Sequence, residues 1–349
     1  MHVTYRPPPT DGRLARRGSA SYHSRPVTAH PSVLVVRFGA LGDVVLATPL
    51  LRAIARAHPR ATVTFVTKAA WAPLLAGHPH VTHVEPLALD EPVWALAARL
   101  RRRTWDHRLD LHGSPRSRAL RALVGGRWRG YRKPRLGRAL RVWTGARVTP
   151  VPPVAEQYFA AARDLGVVPD GGPAHLAPGP ADAARAAAVM PPRPYVILAP
   201  GAAHATKRWP TVHWNRLATL LDGRGLRTVV VGAAADAGRV TAPAAVIACG
   251  IGLGPTAALL RGAAAAVAGD TGLMHLATAV AAPVVALFGP TDPALGYAPY
   301  RARATVLARD LPCRPCSSYG GAHCPLRHHR CMIDLTPEEV MQAVHDLLT

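Results

Sequence analysis

Acidic side chains are scarce in this 349-residue chain: 20 Asp and Glu stand against 42 Lys and Arg, leaving a net charge of +22. Aromatics are also few, at 5% of residues, although apolar residues make up 49%. The arginines are therefore not interleaved with the stacking platforms that single-stranded nucleic acid needs, and no nucleic-acid recognition motif is present, which excludes nucleic acid as the expected partner. Long apolar runs are missing too. The longest, Leu276 to Gly289, is shorter than a membrane span and is broken by Pro283. The first 31 residues have no apolar core and so support neither a secretory nor a twin-arginine signal; they read as a disordered basic tail.

What is present points to a globular chain too long for one ordinary core, hence two domains. Its charge is unevenly divided. Residues 1–180 carry 27 basic against 10 acidic side chains and residues 181–349 carry 15 against 10, an excess of +17 and +5. A basic first half calls for an acidic partner, such as a phosphorylated substrate or an anionic lipid surface, unless it is simply a solvated basic face.

Short β-branched runs alternate with helical segments from Ser32 onward, the pattern of a doubly wound parallel α/β sheet. One helix is expected over Val44–Ala57, one over Ala155–Leu165 and one over Thr211–Leu221. The Pro-, Gly- and Ala-rich stretch near 150–194 marks the domain boundary, with 171–194 as linker. In such sheets ligands bind at the carboxyl ends of strands. Five loops hold candidate ligand groups there. Arg37–Asp43 follows the first strand, and Asp43 at the helix start is either a first-turn cap or a general base. The segment 110–118 opens a helix with Arg116 and Arg118, a candidate anion clamp. Gly269–His275 ends an apolar run in a Gly-bracketed turn, where Asp270 and Thr271 are expected to cap a helix whose amides favour phosphate. Lys207 and Arg208 suit a diphosphate, and Asp236, a few residues past a strand, suits ribose hydroxyls.

These pieces, RFGALGDVVLATPLLRAI, DLHGSPRS, PGAAHATKRWP with WNRLA, VVVGAAAD and GDTGLMHLATAVAAPVVALFGPTDP, resemble glycosyltransferase family nine, the heptosyltransferases of lipopolysaccharide core assembly, in order over about residues 32 to 345. The resemblance implies a GT-B fold with two facing Rossmann-like domains: an acceptor domain at 32–170 and a nucleotide-sugar domain at 195–335, followed by a terminal helix at 336–349. It implies an inverting, metal-independent transfer from a nucleotide-diphosphate sugar such as ADP-heptose to an anionic glycolipid or glycan, in the cytoplasm at the inner membrane face. Carried over by position, Asp43 is the base and Lys207 assists departure of the diphosphate. Donor contacts fall on Thr206, Lys207, Asp236, Asp270, Thr271, Gly272 and His275, and acceptor contacts on Gly42, Arg116 and Arg118. Two departures stand out: Ala203 and Ala205 replace polar residues usual in the family, and Asp236 is shorter than the usual Glu. A non-catalytic anion- or lipid-surface-binding protein on the same scaffold is the alternative.

Cys313, Cys316, Cys324 and Cys331 form a cluster at 313–331 for which structural zinc, disulfides and free thiols all remain open, since only the first pair has CxxC spacing. No cofactor is expected for catalysis. Because Asn caps a helix about as well as Asp, Asp43→Asn is expected to leave stability nearly unchanged.

Overall fold

The computed structural model describes residues 30–144 and 150–349. The expected disordered tail therefore lies, except for its last two residues, outside the described residues. Strands are β1 (Ser32–Val36), β2 (Thr62–Lys68), β3 (His83–Leu87), β4 (His107–Asp110), β5 (Trp128–Gly130), β6 (Tyr195–Ala199), β7 (Arg227–Val230), β8 (Val246–Ile247), β9 (Ala265–Gly269), β10 (Val284–Phe288) and β11 (Ala304–Ala308). Helices are α1 (Leu41–Val45), α2 (Thr48–Ala57), α3 (Val93–Leu100), α4 (Pro115–Val124), α5 (Arg135–Thr144), α6 (Val154–Gln157), α7 (Pro180–Ala187), α8 (Thr211–Asp222), α9 (Leu253–Gly262), α10 (Gly272–Ala279), α11 (Arg330–Ile333) and α12 (Pro337–Leu348).

Two parallel sheets result, ordered β3-β2-β1-β4-β5 and β11-β10-β9-β6-β7-β8. Strands β6, β9 and β10 are buried along their whole length, as expected when helices cover both faces of a parallel sheet. Each sheet reverses its winding once, between β1 and β4 in the first and between β6 and β9 in the second. A crevice opens at such a switch point. The loops that end β1, β4, β6 and β9 carry the candidate residues other than Asp236, which follows β7. This is the two-domain α/β architecture that the resemblance implies.

Several local expectations change. Val44–Ala57 is two helices, because Pro49 stands in the first turn of α2 and cannot donate the hydrogen bond that would continue α1. The segment Ala155–Leu165 begins as α6 and tightens into a 3-10 turn over Tyr158–Leu165. The expected linker contains α7, which packs on α9 and so belongs to the second domain. Strands β5, β8 and β11 are sheet-edge or near-edge pieces that alternation alone did not reveal. The terminal helix α12 starts as read: the Thr336 hydroxyl accepts from Glu339 N–H and the Glu339 carboxylate accepts from Thr336 N–H. It packs against α8 and the second sheet.

Candidate active site

On the first domain, Asp43 is the third residue of α1, and its carboxylate accepts from the backbone N–H of Ala40 at 3.2 Å. The capping role expected of it is therefore present. The same carboxylate forms an ion pair with Arg37 and accepts from the Tyr158 hydroxyl at 3.1 Å. Arg37 is 5% exposed, and its guanidinium lies 5.7 Å from the Tyr158 ring centroid. Burial opposes its charge, but Tyr158 and Asp43 together hold its pKa above the usual range. Burial, reinforced by Asp43, likewise pushes the Tyr158 hydroxyl well up, so it stays a protonated donor. A carboxylate oxygen pair has about four lone-pair sites. The partners here leave room for one more donor, and the side chain is 13% exposed.

The loop after β4 walls this site. Asp110, 2% exposed, accepts from the N–H groups of His112 and Gly113, both at 2.9 Å, and from the Ser117 hydroxyl at 3.1 Å. Lys133 donates to the His112 carbonyl. Burial, followed by the charges of Arg37 and Lys133, lowers the His112 imidazole to about 4.

On the second domain, β6 and β9 are neighbours, and the loops at their ends bring Lys207 to Asp270. The ammonium donates to the Asp270 carboxylate at 2.6 Å and to its carbonyl at 3.0 Å. Thr291 donates to the same carboxylate at 2.7 Å. Asp270 is thereby committed and does not cap α10. Thr271 occupies the N-cap position, but its hydroxyl makes no cap bond and is buried without a partner. The expected side-chain caps are thus absent, and the first-turn amides of α10 remain without them. With Lys207 beside them, these amides and the Thr271 hydroxyl can receive an anion.

The two halves meet through α1 and α10. A methyl group added at Gly42 would stand 2.6 Å from His275 Cδ2, and one at Gly272 2.7 Å from Leu41 Cβ. Both glycines are needed for this approach. His275 is 3% exposed and its Nδ1 has no partner. Burial lowers it to about 4, so it is neutral, while Asp270, Asp43 and Lys207 all act on it. Gly42, adjacent to Asp43, and the Lys207–Asp270 pair thus lie on the two sides of the α1–α10 contact.

Other expectations fare differently. Asp236 accepts from Ala233 N–H at 3.1 Å and pairs with Arg239 at 2.7 Å, tucked against Gly201 and Gly232 at the ends of β6 and β7. The Thr206 hydroxyl exchanges hydrogen bonds with Gly321 at 3.1 and 2.8 Å. Arg116 and Arg118 form no clamp. Two positions apart on α4 they diverge by about 200°, so Arg116 donates to the Glu91 carbonyl at 2.7 Å while Arg118 is exposed beside Arg121 and Trp128.

The cysteines form no disulfide. Among the described residues no group of three or more His, Cys, Asp or Glu is placed to hold a metal ion. The segment instead buttresses the donor loop: Gly321 bonds Thr206, His329 Nε2 lies 2.8 Å from the Thr206 carbonyl, and Arg314 donates to the Thr291 carbonyl at 2.8 Å.

Sequence reasoning missed Arg37, Tyr131, Tyr158 and Tyr297, and it read Arg138 as part of a basic face, solvated or docking acidic headgroups, whereas Arg138 is 3% exposed. Arg37 lay within a loop already singled out, and only its burial distinguishes it from other arginines. Tyr131 and Tyr158 pack edge to face at 5.1 Å, and Arg138 sits 4.9 Å from the Tyr297 ring, pairings across separations that no local pattern records.

The profile of glycosyltransferase family 9 (heptosyltransferase) matches residues 93–325. Lipopolysaccharide heptosyltransferase 1 of Pseudomonas aeruginosa is 32% identical over 88% of this chain and 92% of that protein. Among solved structures, the family 9 glycosyl transferase of Veillonella parvula superposes with a TM-score of 0.75 at 21% identity, covering 91% of this chain and 97% of that one. The E. coli heptosyltransferase solved with ADP gives 0.67 at 23%, covering 90% and 99%.

Proposed function

The chain belongs to glycosyltransferase family 9 and is a glycosyltransferase, and from that membership we propose that it transfers a heptose from ADP-heptose, with inversion, to a lipopolysaccharide-core or related cell-envelope glycan. The names of its relatives support this donor and acceptor, and a neighbour of the same fold is solved with ADP. The observation that carries the reading is the α1–α10 contact, in which Gly42, next to Asp43, faces His275 of the turn that also carries Asp270, itself paired with Lys207 at 2.6 Å.

The acceptor hydroxyl attacks the anomeric carbon from the face opposite the diphosphate. Asp43 removes its proton through the carboxylate position left open by Arg37, Tyr158 and Ala40. The bond to the diphosphate breaks as the new glycosidic bond forms, and ADP departs with the electron pair. Negative charge grows on the phosphate oxygens, where the Lys207 ammonium, the Thr271 hydroxyl and the α10 amides stabilise it. Asp270, itself fixed by Thr291, holds Lys207 for that role, and Asp236 takes the nucleoside ribose. The acceptor is lipid-anchored, so the enzyme works at the cytoplasmic face of the inner membrane. No helix among the described residues is long and apolar enough to cross a membrane.

The test is calorimetric titration with ADP together with transfer from ADP-heptose to heptose-deficient lipopolysaccharide. Wild type should bind ADP, and should form ADP from ADP-heptose only when acceptor is present. Lys207→Ala should weaken ADP binding about 10- to 100-fold, the range for a charge-assisted hydrogen bond. Vesicle binding without any turnover would favour the non-catalytic alternative, and unchanged ADP affinity would remove Lys207 from the donor site.

A further inference from the structure

Helix α5 has two faces of opposite character that the transfer reaction does not explain. At about 100° per residue, Arg138 and Arg141 fall on one side, and both are buried, at 3% and 6% exposure. Arg138 donates to the Leu295 carbonyl at 3.1 Å and stacks on Tyr297, while Arg141 pairs with Asp292 at 3.4 Å. Arg138 and Arg141 thus point inward, pinning α5 of the first domain to the loop after β10 of the second. Leu136, Leu140 and Trp143 fall on the opposite side, at 87%, 43% and 85% exposure. Arg132 and Arg135 beside them are exposed.

We propose that the outer face of α5 is the docking element for an anionic lipid bilayer: Leu136, Leu140 and Trp143 enter the headgroup boundary, and Arg132 and Arg135 meet the phosphates. An apolar stripe with basic neighbours and a terminal Trp has the composition of an interfacial helix. A second copy of the chain fits less well. Three side chains cover far less than the roughly 800 Å² per partner of a stable interface, and a symmetric contact would oppose like charges. The pinned inner face makes the helix a rigid strut between the domains. It therefore presents the bilayer beside the cleft: Arg138 stacks on Tyr297, and Tyr131, four residues before α5, packs on Tyr158, whose hydroxyl donates to Asp43. The inference deepens the proposed work at the membrane and rests on that reading for its purpose.

The experiment is co-sedimentation of the full chain with vesicles of equimolar phosphatidylglycerol and phosphatidylcholine, and with phosphatidylcholine alone. No donor or acceptor is needed, so failure here is separable from failure of the transferase reading. Wild type should partition onto the anionic vesicles. The triple variant Leu136→Ser, Leu140→Ser, Trp143→Ser should lose at least about tenfold in partitioning. Arg132→Gln with Arg135→Gln should remove most of the preference for anionic lipid. ADP affinity should be unchanged in both, and Leu136→Ser alone supplies a milder variant if the triple one is unstable. Wild type that ignores anionic vesicles overturns the proposal. Equal binding by wild type and both multiple variants assigns docking elsewhere and overturns it while leaving a membrane-facing enzyme intact. A wild-type dimer that becomes monomeric in the triple variant, with vesicle binding unchanged, makes the stripe a self-association surface instead.

Discussion

Asp43 sits where a helix cap and a general base are equally natural, and the surrounding residues show that both descriptions apply to one carboxylate. The sequence-based expectation for Asp43→Asn, nearly unchanged stability, does not survive the contact with Arg37. Asn still accepts from Ala40 N–H, but it leaves a guanidinium that is 5% exposed without its counter-charge. Breaking a buried pair from one side costs about 3–5 kcal/mol. Asp43→Asn should therefore lower the denaturant midpoint as well as reduce transfer about 10²–10⁴-fold. Adding Arg37→Met should restore much of the stability and none of the activity, which separates the two effects. Near-normal transfer by Asp43→Asn would end its assignment as base.

At the scale of elements, the contact between α1 and α10 sets how closely the base approaches the donor. Gly42 faces His275 and Gly272 faces Leu41, and in each case a methyl group would meet its neighbour below 3 Å. His275 is enclosed and cannot yield, so Gly42→Ala has to part the helices. A displacement near 1 Å at a reacting centre can cost about 10²-fold in rate. Gly42→Ala should thus reduce turnover by roughly that factor while ADP, placed on the second domain in the proposed reading, binds as before. Unchanged turnover would mean that the α1–α10 spacing does not align the reactants. The break between α1 and α2 belongs to the same scale: Pro49 ends the first helix early and leaves α1 as a short element beside the cleft.

Over the whole molecule, buried imidazoles couple stability to pH. His78, His112 and His275 are each lowered to about 4, in every case chiefly by burial. In the unfolded chain they protonate near 6.5. Between about pH 6.5 and 4 the unfolded state therefore binds more protons than the folded state, and stability must fall as pH falls through that window. Below about 4 the histidine contribution levels off. There the paired Glu339, held at about 2 against burial by Arg309 and Thr336, takes over the loss. Thermal melts from pH 7 to 4 should show a steady decline, shallower in His78→Gln. A flat profile would mean that these imidazoles are hydrated.

The alternation of apolar runs with helices was enough to determine the parallel α/β class, because hydrophobic periodicity is local. The Gly-bracketed loops at strand ends likewise marked Asp43, Lys207 and the α10 turn, since tight turns require particular residues wherever they occur. Roles that depend on a distant partner were decided only by the fold. Thr206 was drawn to Gly321, Asp270 to Lys207 and Thr291, and Arg116 away from Arg118. Arg37 acquired its importance from Tyr158, 121 positions along the chain by the two residue numbers, through burial that composition cannot express. The crevice follows the same rule: strand order places the ends of β1 and β4, and of β6 and β9, side by side, and strand order is a property of packing between sheet and helices rather than of any single stretch of sequence.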